Sequence, residues 1–437
     1  MATVTPSPLR SPGSRQPGGS HSTKRPRQST SAWLESVLDR PLTSYHLVLA
    51  SAGLLLGLGM LMVLSASSVK AYVTFHDSYY VIKRHLVFVA VGLVAILLIV
   101  RVRQSTLRVF GWVGTLGAMV LLVLTYTPLG VEIQGNHNWL DLGVPLLRLQ
   151  PSEFAKLALV LWGADVLARK QKLLDQPKHL LVPYLPVAAL IILLIVFQGD
   201  AGTAAVVIGM VGGVLWMIGA PMRIFAALAA VGAAGLTALI LTSPTRISRF
   251  TAFLNPTVNV EGINHQATVG MWAIASGGWW GVGLGASRQK WGTLPVAHSD
   301  FIFAVIGEEL GLFGSLMVLF MFLVLGYAGI RIALRSDDDF SRYAAAGITA
   351  WFMVQALINL GCVLRLLPIA GVPLPLVSYG GSALLATLAG VGVLLACARR
   401  EPAARKVLLA KADRRSPRMT AVVGSRTSRR GRSRGDA

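Results

Sequence analysis

Four kinds of side chain in this 437-residue chain have types and spacing suited to chemistry. Asp300 lies in Leu294-Pro295-Val296-Ala297-His298-Ser299-Asp300-Phe301, where a polar loop gives way to an apolar run. A carboxylate at such a boundary can take a proton from a hydroxyl, the work of a general base. Glu153 precedes Lys156 by three residues in Gln150-Pro151-Ser152-Glu153-Phe154-Ala155-Lys156, so the two share a helix face. Arg288 and Lys290 follow the glycine-rich string Gly277-Gly278-Trp279-Trp280-Gly281-Val282-Gly283-Leu284-Gly285. Ser378 lies in Leu367-Pro368-Ile369-Ala370-Gly371-Val372-Pro373-Leu374-Pro375-Leu376-Val377-Ser378-Tyr379-Gly380-Gly381-Ser382. One carboxylate near several cations suits proton abstraction beside an anionic leaving group.

Each feature also has a plainer reading. Asp300 and Asp200 could each cap a helix, since aspartate accepts from the exposed amides of a first turn. Glu153 and Lys156 could form a structural ion pair rather than an anion site. His298 is more often a structural hydrogen-bonding residue than a second base. The chain contains no GxxxxGK[ST], HExxH, CxxC or GxSxG string. P-loop hydrolysis, zinc proteolysis and serine-hydrolase chemistry therefore have no foothold.

The elements that must hold these residues are membrane helices. The chain is 54% hydrophobic and only 14% charged, against roughly a quarter charged in soluble domains. Ten apolar runs are long enough to cross, with approximate limits 45–66, 85–100, 107–126, 151–168, 181–198, 202–220, 222–242, 301–328, 344–363 and 381–398. Only helices satisfy their own backbone groups in lipid without closing a barrel, so the fold class expected is an all-α polytopic membrane protein. The net charge is +21, but most of it lies in the tails and short loops, which argues against a nucleic-acid partner. With the N-terminus inside, inner segments hold 30 of the 40 lysines and arginines and outer segments hold 9. The positive-inside rule then places both termini in the cytoplasm.

Residues 1–44 and 401–437 read as disordered basic cytoplasmic tails flanking a ten-span domain at 45–400. The first span acts as an uncleaved signal anchor. The large outer loop covers 243–300, with smaller ones at 127–150 and 364–380. The Pro/Gly-rich segment 367–382 reads as re-entrant or rigid, and Gly307, Gly311 and Gly314 as a small-residue packing stripe on the eighth span. Glu308 and Glu309 fall about two turns into that span. Cys362 and Cys397 read as two free thiols.

Three strings together carry a resemblance: QPSEFAK at 150–156, GGWWGVGLGASRQKWGTLPVAHSDFIFAVIGEELG at 277–311 and LPIAGVPLPLVSYGGS at 367–382. Over nearly all of 45–400 the chain resembles the SEDS family (shape, elongation, division and sporulation proteins). GASRQKW, LPVAHSDFIFA and PLPLVSYGGS favour its division branch over its elongation branch. The resemblance implies a peptidoglycan glycosyltransferase in the bacterial cell membrane at the division septum. Such proteins polymerise lipid II, an undecaprenyl-pyrophosphate disaccharide-peptide, on the outer leaflet. They act with a class B penicillin-binding transpeptidase and other division proteins, which the tails could recruit. Asp300 falls on the family's essential aspartate, and Glu153 with Lys156 on its fourth-span pair. Gln150, Glu153, Lys156, Arg288, Lys290, His298 and Ser378 are the substrate-binding residues expected. No cofactor is required, although a divalent cation (Mg or Mn) could assist the leaving diphosphate. The chain departs from the family pattern at Gly199, usually proline, at Asn138, often arginine, and at His85, where arginine–glutamine is usual and Arg84-His85 stands. A lipid II flippase and an elongation-type paralogue are the competing functions.

Overall fold

The computed structural model describes residues 40–133, 136–141, 143, 148–173, 182–241, 244–255, 264–291, 294 and 297–415. Thirteen α-helices lie within them. In chain order they are α1 (Thr43–Phe75), α2 (Tyr80–Ile99), α3 (Gln104–Leu124), α4 (Pro151–Arg169), α5 (Tyr184–Phe197), α6 (Ala201–Ile218), α7 (Met222–Leu241), α8 (Pro244–Leu254), α9 (His265–Gly277), α10 (Ile302–Arg335), α11 (Asp339–Val363), α12 (Gly381–Arg400) and α13 (Pro402–Arg415). Every apolar run read from the sequence coincides with one of these helices. Seven of them, α1, α2, α3, α6, α10, α11 and α12, are long and apolar enough to cross a membrane; α5 and part of α7 are shorter apolar helices. The protein is thus a multi-pass helical membrane protein. Most of tail 1–44 and residues 416–437 fall outside the described residues, while 402–415 form a helix, α13.

Burial follows from which neighbours each helix has. The centre is built from α11 and α12, whose apolar windows are 67% and 78% buried, whereas that of α2 is only 22% buried. The faces of α2 that meet no protein carry Leu86, Val87, Val91, Leu93, Val94, Leu97 and Leu98. Exposed side chains of this kind are stable only against hydrocarbon. At about 1.5 Å per residue, the 33 residues of α1 reach about 50 Å, well beyond an apolar layer of about 30 Å. Its last turns, with Lys70, therefore stand clear of the hydrocarbon.

The ends of α1, α3, α5 and α11 and the starts of α2, α4, α6, α10 and α12 gather at one end of the bundle, here the Asp300 end. A small antiparallel sheet of β1 (Gly130–Ile133), β2 (Asn136–Asp141) and β3 (Arg148–Leu149) closes part of it. The all-helical expectation missed this sheet, because its strands are too short to show a period of two. Residues 364–380 form no regular helix or strand, yet Val372, Leu374, Leu376, Val377 and Ser378 are buried. This stretch runs so close to the middle of α1 that a Cβ on Gly59 would come 2.7 Å from the backbone of Val377. The re-entrant reading of 367–382 matches that placement. Cys362 and Cys397 are free and buried.

Candidate functional site

The glycine string after α9 explains how Asp300 is held. Within α10, Gly311 adopts φ 67° and ψ −162°, a region essentially reserved for glycine. The expected continuous stripe of Gly307, Gly311 and Gly314 is therefore corrected: Gly311 breaks the helix, because the neighbouring loop takes over its hydrogen bonds. The amides of Leu312 and Phe313 donate to the carbonyls of Gly278 and Trp279 (2.9 and 3.3 Å), and the carbonyls of Glu308 and Glu309 accept from Val282 and Gly283 (2.9 and 3.1 Å). These four bonds to the loop pair backbone groups that the break takes out of the helix ladder. A side chain at Gly311 would come 2.6 Å from the Trp279 carbonyl. Gly311→Ala is expected to destabilise the protein by about 1–3 kcal/mol from strain, and more from the clash. Gly232→Ala in α7, where a Cβ meets nothing within 4 Å, is expected to leave the melting temperature unchanged or raise it. Thermal unfolding in detergent checks the pair.

The same loop delivers donors to two buried carboxylates. Glu308 accepts from the Ser287 hydroxyl at 2.5 Å and the Arg288 amide at 2.9 Å. Glu309 accepts from the Ser65 hydroxyl at 2.6 Å and lies 3.6 Å from Lys290 Nζ, which also donates to the Gly285 carbonyl. Lys290 is thus a buried counter-ion, while Arg288 is exposed. Both were read from the sequence as one pair of substrate cations; the structure gives them different surroundings.

Asp300 lies on the turn between this loop and α10. It does not cap the helix: the N-cap is Phe301, with no side-chain cap bond. Its Oδ1 accepts from the Ser299 hydroxyl at 2.8 Å, and its carbonyl accepts from Asn359 Nδ2 at 2.8 Å. Its Oδ2 faces Gly371, where an added Cβ would sit 3.7 Å away. Asp300 is half-buried and Gly371 is exposed, so that oxygen lies beside an open position of the surface. Burial raises the Asp300 carboxyl above its ordinary range; the Ser299 hydrogen bond opposes this and the charge of Asp200 adds to it.

The segment 367–382 fixes the turn from above. Ser378 Oγ donates to the Ser299 carbonyl at 2.7 Å and accepts from the Leu374 amide at 2.8 Å. The Tyr379 amide donates to the His298 carbonyl at 3.0 Å. His298 Nδ1 and Nε2 are held neutral, as burial, with the charge of Lys70 adding, pushes its pKa down to about 4. Asn359 Nδ2 bonds Val372 and Gln355 Nε2 bonds Pro373, both through carbonyls. Asn359 and Gln355 were not singled out from the sequence, yet two amides four residues apart in an apolar span are a legible signal.

Glu153 and Lys156 lie deeper, with side chains 1% exposed. Lys156 Nζ donates to Glu153 Oε1 and Gln355 Oε1, each at 2.8 Å, and sits 5.1 Å from the Trp351 ring centre. Asp200 gathers the remaining polar groups. It caps α6 through the Thr203 amide (2.9 Å) and accepts from Thr203 Oγ1, Gln150 Nε2 and Asn138 Nδ2 (2.9, 3.1 and 3.0 Å). The capping reading of Asp200 holds, and Asn138, at the position where the family often has arginine, is one of its donors. Gln150 meets Asp200 rather than open space. Among the described residues no three His, Cys, Asp or Glu side chains converge as metal ligands, and both oxygens of Asp200 already accept from protein donors.

Comparison with known proteins identifies the family. The family model for cell cycle proteins of the FtsW, RodA and SpoVE type matches residues 45–402. The chain is 38% identical over 390 residues to a probable peptidoglycan glycosyltransferase FtsW of Mycobacterium tuberculosis, covering 89% of this chain and 73% of that one. It is 39% identical over 347 residues to stage V sporulation protein E of Bacillus subtilis, covering 79% and 94%. A solved peptidoglycan synthase complex that coordinates polymerization and crosslinking contains a similar chain, with TM-score 0.67, 27% identity and coverage of 81% and 97%. The chain belongs to the FtsW, RodA and SpoVE family of cell cycle proteins, the family that the strings at 150–156, 277–311 and 367–382 pointed to.

Proposed function

We propose that this chain is the peptidoglycan polymerase of cell division, joining lipid II units at the outer leaflet of the bacterial cell membrane. The observation that carries the reading is Asp300, half-buried between its own turn and 367–382, with Oδ1 held by Ser299 and Oδ2 beside the exposed Gly371. The acceptor sugar presents its 4-hydroxyl there. As its oxygen attacks the donor's anomeric carbon, the proton passes to Asp300 and the bond from that carbon to the diphosphate oxygen breaks. The donor is α-linked and the product β-linked, so one inverting displacement suffices. A positioned base contributes about 10²–10⁴ in rate.

The topology that fits is ten spans with both termini cytoplasmic. It adds α4, α5 and α7 to the seven longer apolar helices and puts the Asp300 end outside. In α4 the ionisable residues Glu153, Lys156, Asp165 and Arg169 lower the hydropathy of an otherwise buried helix. Glu153, Lys156, Lys290 and Ser378 fix the frame of the site, and Gln150 with Asp200 its floor. His298, neutral and two residues from the base, packs its ring against Tyr379. Arg288 remains outside as a cation for the incoming lipid. The solved synthase complex, which couples polymerization to crosslinking, supports a class B penicillin-binding transpeptidase as partner; a septal location and tails that engage other division proteins belong to the same proposal.

A flippase would need polar groups along a continuous path. Among the described residues the paired charges fall instead into two groups. One is at the Asp300 end; the other, at the opposite end, joins Arg108, Asp165, Arg169 and Asp338, of which only Asp165 is buried. Purified protein in vesicles, assayed with and without its transpeptidase, is expected to form glycan strands from lipid II and not to move lipid II between leaflets. Transport without polymerisation would reverse the assignment.

A further inference from the structure

Between α3, α4 and α5 lies an apolar groove of about 350 Å³, lined mainly by Trp112, Val113, Leu116, Met119, Trp162 and Val187. Its walls are fixed by close contacts. Gly111 brings α3 against α4, so that a Cβ there would come 2.7 Å from the Trp162 amide nitrogen, and the Tyr184 ring of α5 fills the space beside Gly163. The Trp112 and Trp162 rings meet edge to face at 5.8 Å, and Trp162 stacks on Tyr184 at 6.3 Å. Val113 and Leu116, each 64% exposed, form the outer lip.

The walls and the lip decide what fills the groove. A cavity with apolar walls does not hold water, and the exposed face of α3 meets hydrocarbon. The volume lies near the lower limit of small-molecule sites, which suits an acyl chain. Charge then chooses among lipids. Trp112 both lines the groove and donates through Nε1 to Asp165 at 2.8 Å; Asp165 is paired with Arg108 and Arg169 at 3.4 and 2.8 Å. Arg108 precedes Trp112 by four residues, about 6 Å along the helix axis. Lys170 Nζ donates to the Val182 carbonyl at 2.7 Å, just ahead of α5, and so stands at the same end. Asp165 and Asp338 offset part of this charge. Asp165 is buried, however, whereas the Arg169 side chain is 63% exposed. Lys170 and Lys172 pair with no carboxylate among the described residues. The cations therefore stand where the headgroup of a lipid comes when its chain lies in the groove.

Resting on the topology above, in which this end is cytoplasmic, we propose that the groove binds one anionic phospholipid of the inner leaflet, its acyl chain against Trp112 and Trp162 and its phosphate beside Arg169 and Lys170. Basic pockets between membrane helices on the cytoplasmic side recognise anionic headgroups in this way. A zwitterionic lipid would bring its ammonium against the same cations.

Native mass spectrometry of the full chain, released from nanodiscs of equal parts phosphatidylglycerol and phosphatidylcholine, reads the occupant. Each lysine or arginine near a membrane surface contributes about fivefold to binding of anionic lipid. Wild type is expected to retain one phosphatidylglycerol in preference to phosphatidylcholine by at least that factor. Arg169→Gln combined with Lys170→Gln is expected to abolish the preference; glutamine still donates to Asp165 and to the Val182 carbonyl, so the fold is kept. Leu116→Trp, which fills the groove and leaves the cations in place, is expected to lose the retained lipid. Equal retention of both lipids by wild type would overturn the proposal, as would a preference that survives the double glutamine variant or a lipid that survives Leu116→Trp. So would displacement of the lipid by added transpeptidase, which makes the groove a partner's seat. The topology fails separately: if Lys170→Cys reacts with a membrane-impermeant maleimide on intact cells, this end faces outward, whatever lipid the protein retains.

Discussion

Asp300→Asn protein is expected to polymerise lipid II about 10²–10⁴ times more slowly than wild type, the range for a missing general base, while remaining at least as stable. Asparagine keeps the size of the side chain and can still accept from Ser299, so the turn between 297 and 301 has no reason to move. It cannot accept the proton. The stability half of the expectation follows from burial. A carboxyl whose pKa is raised on folding favours the folded state fully below its unfolded value. That contribution is lost as the pH rises through the raised folded value. Once ionised, wild-type Asp300 therefore bears a cost that the asparagine variant does not. Activity has the opposite dependence, because only the ionised form can act as a base. The acidic limb of the rate profile is expected above pH 3.8, the ordinary value for aspartate, since burial and Asp200 outweigh Ser299. Strand formation by SDS gel against pH, together with melting curves of both proteins, checks each half. Undiminished polymerisation by Asp300→Asn would remove the residue from the chemistry.

Lys156→Ala is expected to be the most damaging single change to folding. The ammonium has three interactions, with Glu153, Gln355 and the Trp351 face, and its removal leaves a buried carboxylate opposite a cavity. Breaking one side of a buried pair costs about 3–5 kcal/mol. Removing both charges is a smaller perturbation than removing one, so Glu153→Gln combined with Lys156→Met is expected to recover much of the lost melting temperature. Activity in the double variant then separates two roles. Near-normal polymerisation assigns the pair to the frame, as its burial suggests; an inactive but stable double variant would give Lys156 a direct part in handling substrate. Size-exclusion profiles and thermal unfolding in detergent, followed by the polymerisation assay, supply the measurements.

How far the sequence carried these conclusions differs by feature. Hydropathy located the ten apolar runs because the bilayer imposes one long, uniform constraint. Helix lengths were read short at α1 and α10, whose ends leave the hydrocarbon and lose the signal. Residue types also picked out Asp300, Glu153 and Lys156, since isolated charges are costly next to lipid. Partnership was less legible. Lys290 and Arg288 are two residues apart in sequence, yet one turns inward to Glu309 and the other outward, and spacing alone does not distinguish them. Gly311 looked like a packing residue because its spacing from Gly307 is four; its positive φ depends on a loop some thirty residues earlier. Asp200 was legible as a helix cap, but its further donors, Asn138 and Gln150, come from distant parts of the chain and show only in space.

The exchange of hydrogen bonds around Gly311 has a further implication. Residues 283 and 309 are joined through their backbones, so the chain between them forms a ring of its own, with Asp300 on its circumference. The clasp of that ring is made of amides and carbonyls rather than side chains. Its dimensions are therefore indifferent to most amino-acid replacements around it and sensitive to those that put a Cβ where the strands cross. Such a construction lets the rim of the ring vary with substrate or partner while the carboxylate keeps its station.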